Sequence, residues 1–97
     1  MTASLPTQEQ VNEIAREFAP DVVRIKMDIA TDWAGDPAVY FRVIVADYVD
    51  REKLRDVSRR VRERIWTGLR FEELDHFPYV NFRGQSEQVA LRDPSWA

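Results

Sequence analysis

The hydrophobic and polar positions of this chain switch three times between the period of a helix and that of a strand, and the switches mark its elements. From Val22 to Asp50 the pattern alternates. Val23, Ile25, Met27 and Ile29 are separated by Arg24, Lys26 and Asp28, and further on Phe41, Val43 and Val45 are separated by Arg42 and Ile44. A period of two places alternate residues on opposite faces, so the segment predicts two strands, over about 22–30 and 39–48, each with a core face. Between them, Thr31 to Ala38 contains a Gly and an Asp-Pro pair, which is turn chemistry, and the whole reads as a β-hairpin. The second strand is apolar on both faces, with Tyr40, Ile44, Ala46 and Tyr48 opposite Phe41, Val43 and Val45. That is the pattern of an interior strand, or of one whose second face meets a partner.

On either side the period lengthens to that of a helix. Val11, Ile14, Ala15 and Phe18 recur at spacings of three and four, behind Thr7 and Gln10, which match a capping box, and ahead of Pro20, which cannot continue a helix. A helix over about 8–18 follows. After Asp50, a good N-cap, Leu54, Val57, Val61, Ile65 and Leu69 form a second stripe. Burying these five side chains at roughly 1.5 to 3 kcal/mol each makes this helix a main contributor to the core. Gly68 is its expected end, as a left-handed cap. The following residues, 69 to 78, predict a turn of helix or a loop with Phe71, Leu74 and Phe77 tucked under the sheet edge and Pro78 closing it. Tyr79 to Arg83 alternates again as a third strand with Val80 and Phe82 inward, ended by Gly84. The stretch 85–97 is polar with isolated Val89, Leu91 and Trp96, and reads as a flexible tail or a short fourth edge strand around Glu87 to Leu91.

The order is α-β-β-α-β. With one apolar stripe on each helix, both helices should cover one face of a three-stranded sheet, giving a single-domain two-layer α+β sandwich over residues 1–97. The strand order stays open, although a parallel crossover from strand two to strand three should be right-handed. The order resembles that of the C-terminal module of NifU-like iron-sulfur scaffold proteins and, more loosely, that of KH-type RNA-binding domains. The paired cysteines of the first and the Gly-x-x-Gly loop of the second are missing from this sequence. The likeness is therefore one of topology, and topology carries no function.

Composition narrows the chemistry. Ninety-seven residues, 44% hydrophobic and 32% charged, describe one domain with a core. The absence of Cys excludes disulfides, thiolate nucleophiles and Cys-ligated metal centres. No apolar run approaches the roughly 20 residues that span a bilayer, and MTASLPTQEQ lacks the regions of a signal peptide, so the expected location is cytoplasmic. The net charge of −3 hides an asymmetry: residues 1–50 carry −5, residues 51–70 carry +5 and residues 71–97 carry −3. An arginine-rich outer helix face, with Arg55, Arg59 and Arg62 on one side, explains it most simply, since Glu52, Asp56 and Glu63 lie three or four positions from basic residues.

Three sets of residues are candidates for function. The sheet face away from the helices collects Arg24 and Lys26, Tyr40 and Arg42, and Tyr79 and Arg83. Tyr and Arg are enriched as anchors of protein interfaces, so the first reading is a non-enzymatic interaction domain that binds another protein or itself as a homo-oligomer. Antitoxin-like, immunity-like or accessory-subunit roles of the kind bacterial proteins fill would suit it. The same mixture suits single-stranded nucleic acid, with rings stacking on bases and guanidiniums on phosphates, as the second reading. In the hairpin loop, Asp32 and Asp36 could bind a hard cation or act as acid and base, a third reading shared with His76, but read first as turn residues, and Trp33 either packs on the core or anchors a partner, packing being preferred. Finally His76, behind Glu72, Glu73 and Asp75, has the types needed for a metal or acid-base site. It lacks an accompanying nucleophile and reads as a packing residue. No cofactor is expected.

Overall fold

The structure, a computed structural model, describes residues 4–96, so Ala97 and the first three residues of the leader reading lie outside the described residues. Helix α1 (Gln8–Glu17) begins as its sequence predicts. The Gln10 N–H donates to the Thr7 hydroxyl at 3.2 Å and the Thr7 N–H donates to Gln10 Oε1 at 2.9 Å, and Val11, Ile14 and Ala15 are buried. Strands β1 (Val22–Thr31) and β2 (Pro37–Val45) form the antiparallel hairpin. Helix α2 (Arg51–Gly68) starts where the Lys53 N–H meets the Asp50 carboxylate at 2.8 Å. A single 3₁₀ turn, Phe71–Glu73, leads into β3 (Phe77–Gly84). The chain then folds back as α3 (Gln85–Leu91) and a last 3₁₀ turn, Pro94–Trp96.

The sheet order is β1-β2-β3, with β2 in the centre, antiparallel to β1 and parallel to β3. On one face Ile25 pairs with Val43 and Val43 with Phe82, while Met27 pairs with Phe41 and Phe41 with Val80. Helices α1 and α2 cover this face, and their Val11, Ile14, Val57, Val61 and Ile65 join Val39, Phe41 and Val43 in one buried cluster. The two-layer α+β architecture is the one the periodicity predicts, with a third short helix added. Among the described residues no helix is long and apolar enough to cross a membrane.

Four local expectations are corrected. A bulge between Val22 and Arg24 shifts the start of β1 by one residue, so Val22 enters the core while Val23, expected there, is 44% exposed. The left-handed residue after α2 is Arg70 (φ 56°), not Gly68. Gly68 serves a different need: a Cβ there would stand 1.6 Å from Arg64 Nη1, and the open space lets that guanidinium reach Glu17 at 2.9 Å. Phe77 does not tuck beneath the sheet, and Pro78 lies inside β3 rather than before it. The chain after Gly84 is helical, in place of an edge strand or free tail. Its Gly84 cap has no side chain to offer, and the Asp47 carboxylate supplies the acceptors instead, for the Ser86 N–H at 2.9 Å and the Ser86 hydroxyl at 2.5 Å.

Candidate interaction site

The register settles which candidate residues meet. Across the face opposite the helices, Lys26, Arg42 and Asn81 form one row, Asp28, Tyr40 and Tyr79 the next, and Arg24, Ile44 and Arg83 a third. The six sheet residues singled out by alternation therefore share one face. Physically they divide into a closed end and an open end.

At the closed end the C-terminal segment folds over the sheet. Trp96 is 7% exposed with the Arg83 guanidinium 4.2 Å from its ring, and Ile44, on this same face, is 3% exposed. Arg83 also donates to Gln88 Oε1 at 2.8 Å and lies 3.5 Å from the Asp93 carboxylate. Asp93 in turn accepts from the hydroxyl and N–H of Ser95, which with Arg83 hold its carboxyl below the usual carboxylate range. Arg83 is thus an internal clamp, not a free cation. Its role was invisible in the sequence because Trp96 is thirteen residues away and only the fold-back brings the two together.

At the open end lie aromatic rings. Tyr40 and Tyr79 stack across β2 and β3 with centroids 5.2 Å apart and planes 18° apart, and Phe77 leans on Tyr79 at 4.9 Å. The Arg42 guanidinium sits 5.4 Å from the Tyr40 ring and is ion-paired with Asp28. Of the four basic residues proposed on this face, Arg24 and Lys26 alone make no ion pair among the described residues.

The hairpin loop adjoins the same rings. Asp32 serves the turn as expected, its Oδ1 accepting from the N–H groups of Ala34 and Asp36 at 2.9 and 3.0 Å, while Gly35 (φ 85°) supplies the left-handed residue. The Tyr79 hydroxyl donates to the other carboxylate oxygen, Oδ2, at 3.0 Å. The Asp36 N–H foremost, and then Tyr79, lower the Asp32 pKa, and the same bond to Asp32 raises that of Tyr79. So anchored, the loop holds Trp33 with 92% of its surface in solvent, which overturns the expectation that it packs on the core. Phe77, at 58% exposure, was misplaced because the third strand was begun at Tyr79. Extending the alternation back by two residues assigns Phe77 to the Tyr79 face.

The other candidate chemistry does not assemble. His76 Nδ1 and Asp75 Oδ1 lie 2.9 Å apart, and among the described residues no group of three or more His, Asp or Glu side chains is placed to hold a metal ion. The arginines of α2 split. Arg59 and Arg60 pair with Asp56, as the charge spacing predicts, and Arg64 pairs with Glu17 of α1, which that spacing does not predict, whereas Arg51, Arg55 and Arg62 have no acidic partner among the described residues. No protein-family model, no curated protein and no solved structure matches this chain.

Proposed function

We propose that this chain is a small non-enzymatic interaction domain that binds another protein, or a second copy of itself, through the open end of the sheet face and the hairpin loop beside it. One observation carries the reading: Phe77, 58% exposed, leans on the stacked Tyr40 and Tyr79, and the Tyr79 hydroxyl is bonded to Asp32 of the loop that presents Trp33 at 92% exposure. Large exposed aromatics lose ordered water on contact and carry much of the energy of protein interfaces. The hydrogen bonds to Asp32 fix the backbone of the loop that carries Trp33 before any partner arrives, which lowers the entropy lost on binding.

The charge layout favours protein over nucleic acid. Arg42 and Arg83 are neutralised by Asp28 and Asp93, and the Asp32 carboxylate lies among the rings where phosphates would have to approach. Arg24 and Lys26 are left to set the orientation of a partner from the rim.

The test is the native mass of the purified protein, alone and as a complex isolated from its source, compared with the Trp33→Ala and Phe77→Ala variants. Association should weaken by at least about tenfold in each variant, the loss of a single interface anchor. A chain that remains a monomer at all concentrations and retains no partner overturns the proposal.

A further inference from the structure

The two edges of the sheet are guarded differently. On β1 the Gln8 side-chain amide imitates a neighbouring strand: its Nε2 donates to Ile25 O at 2.8 Å and its Oε1 accepts from the Met27 N–H at 2.9 Å. At that point of the edge both a donor and an acceptor are covered. On β3 the Arg62 guanidinium donates to Val80 O at 3.0 Å and lies 5.1 Å from the Phe82 ring. A guanidinium has no acceptor, so it covers a carbonyl and leaves the outward N–H groups of that edge without a substitute partner. Because the backbone carbonyl of Val80 points to the open edge, the backbone groups of Pro78 and Phe82 do too, which is why Pro78, with no N–H to lose, fits within this strand.

A groove runs between this edge and α2. Its wall is a helical stripe at spacings of three and four, namely Arg51, Arg55, Ser58, Arg62 and Trp66. Its two ends differ in chemistry. Beside Phe82 stand Arg51 and Arg55, with no acidic residue lining the groove and no ion pair for Arg51, Arg55 or Arg62 among the described residues. Beside Pro78 stand Trp66, 43% exposed and stacked on Phe71, and Phe77. The other arginines of α2 all have carboxylates, so the unpaired ones are confined to this groove.

We propose that the α2–β3 groove binds an acidic, extended peptide segment of a partner protein by strand addition to β3. The peptide N–H replaces Arg62 on Val80 O, and the released guanidinium meets a peptide carboxylate, so one bond is exchanged for another. Further acidic side chains face Arg51 and Arg55. A bulky apolar residue enters between Trp66 and Phe77. Phe77 and Phe82 are five residues apart on β3, about 16 Å at the rise of a strand, so the apolar and acidic residues of the peptide lie about five positions apart. A nucleic acid could also satisfy the arginines, but only an extended peptide brings both a donor for Val80 O and acceptors in strand register for the unpaired N–H groups.

The inference rests on the protein-interaction reading and is tested apart from it. Fluorescence anisotropy is followed as the intact protein is added to a labelled peptide of alternating Glu and Val with Phe at one end, and to its reversed sequence. One of the two should saturate with a Kd below about 100 μM and weaken at least about tenfold for the Arg51→Glu, Arg55→Glu double variant. Both arginines are exposed, and unchanged thermal unfolding shows that the variant folds. N-methylation of the peptide backbone should abolish binding. Equal binding by the Lys-for-Glu peptide, indifference to N-methylation, preference for oligothymidylate, or no binding each overturns the proposal. These substitutions leave Trp33, Tyr40 and Tyr79 in place, so association lost in Trp33→Ala alongside a peptide that never binds rejects the groove while retaining the aromatic site.

Discussion

The two faces of β2 are both covered, but the covers differ in kind. Toward the helices, Val39, Phe41, Val43 and Val45 are at most 4% exposed beneath aliphatic side chains drawn from both helices and the two other strands. Away from the helices, Ile44 is as dry as they are, yet what lies over that end of the face is a seven-residue helix, one indole and an arginine clamped by Asp93. The first cover is continuous and apolar, and cannot open without unfolding the domain. The second is short, polar at its fastenings and near the chain end, so it can lift alone. Beyond it the face stays open at Tyr40, Tyr79 and Phe77. Stability is thus carried by one side of this strand, and the proposed recognition surface lies on the other.

Three experiments would break or sharpen that contrast. Phe41→Ala removes a fully buried ring that meets Phe71 edge-on at 5.8 Å, and should cost about 3–5 kcal/mol in chemical denaturation, enough to unfold a marginal domain. A loss below about 1 kcal/mol would show that the helix face is not the structural one. Trp96→Ala should cost less, about 2 kcal/mol, because the segment undocks instead of leaving a sealed cavity. Its signature is faster amide exchange confined to α3 and the end of β3, and a loss of protection spread through α1 and α2 would contradict the division. The smallest effect is on acidity. Asp47, chiefly through the Ser86 hydroxyl, and Asp93, chiefly through the Ser95 hydroxyl, are both lowered from the ordinary value of 3.8. Carboxyls depressed in the folded state contribute stability that is complete above 3.8 and fades as pH falls through their folded values. In an acid titration the indole N–H resonance of Trp96 should therefore move below about pH 4 before the methyl resonances of Val43 and Val61 change. Simultaneous loss would mean the two covers are one cooperative unit.

Much of the architecture was readable because period and position are local properties. The capping box at Thr7, the cap at Asp50, the α2 stripe and the alternation of β2 all concern residues within a turn or a strand of one another. Where the reading failed, the deciding contact was distant. Val23 lost its core position to a bulge, and the loop that leaves Trp33 in solvent is fastened through Asp32 to Tyr79, forty-seven residues after Asp32. The sheet-face residues were identified by parity alone. Which of their charges remain free depended on Asp28, Asp93 and the returning C-terminus.

The sequence by itself determined the elements, their order and the apolar side of each, because hydrophobic spacing and caps act over a few residues. Only the tertiary structure decided that β3 lies beside β2, that the residues after Gly84 close half of the second face, and that Gln8 and Arg62 guard the two edges unequally. These outcomes rest on side chains brought together across long stretches of chain, where packing and hydrogen-bond geometry, not local propensity, set the energy.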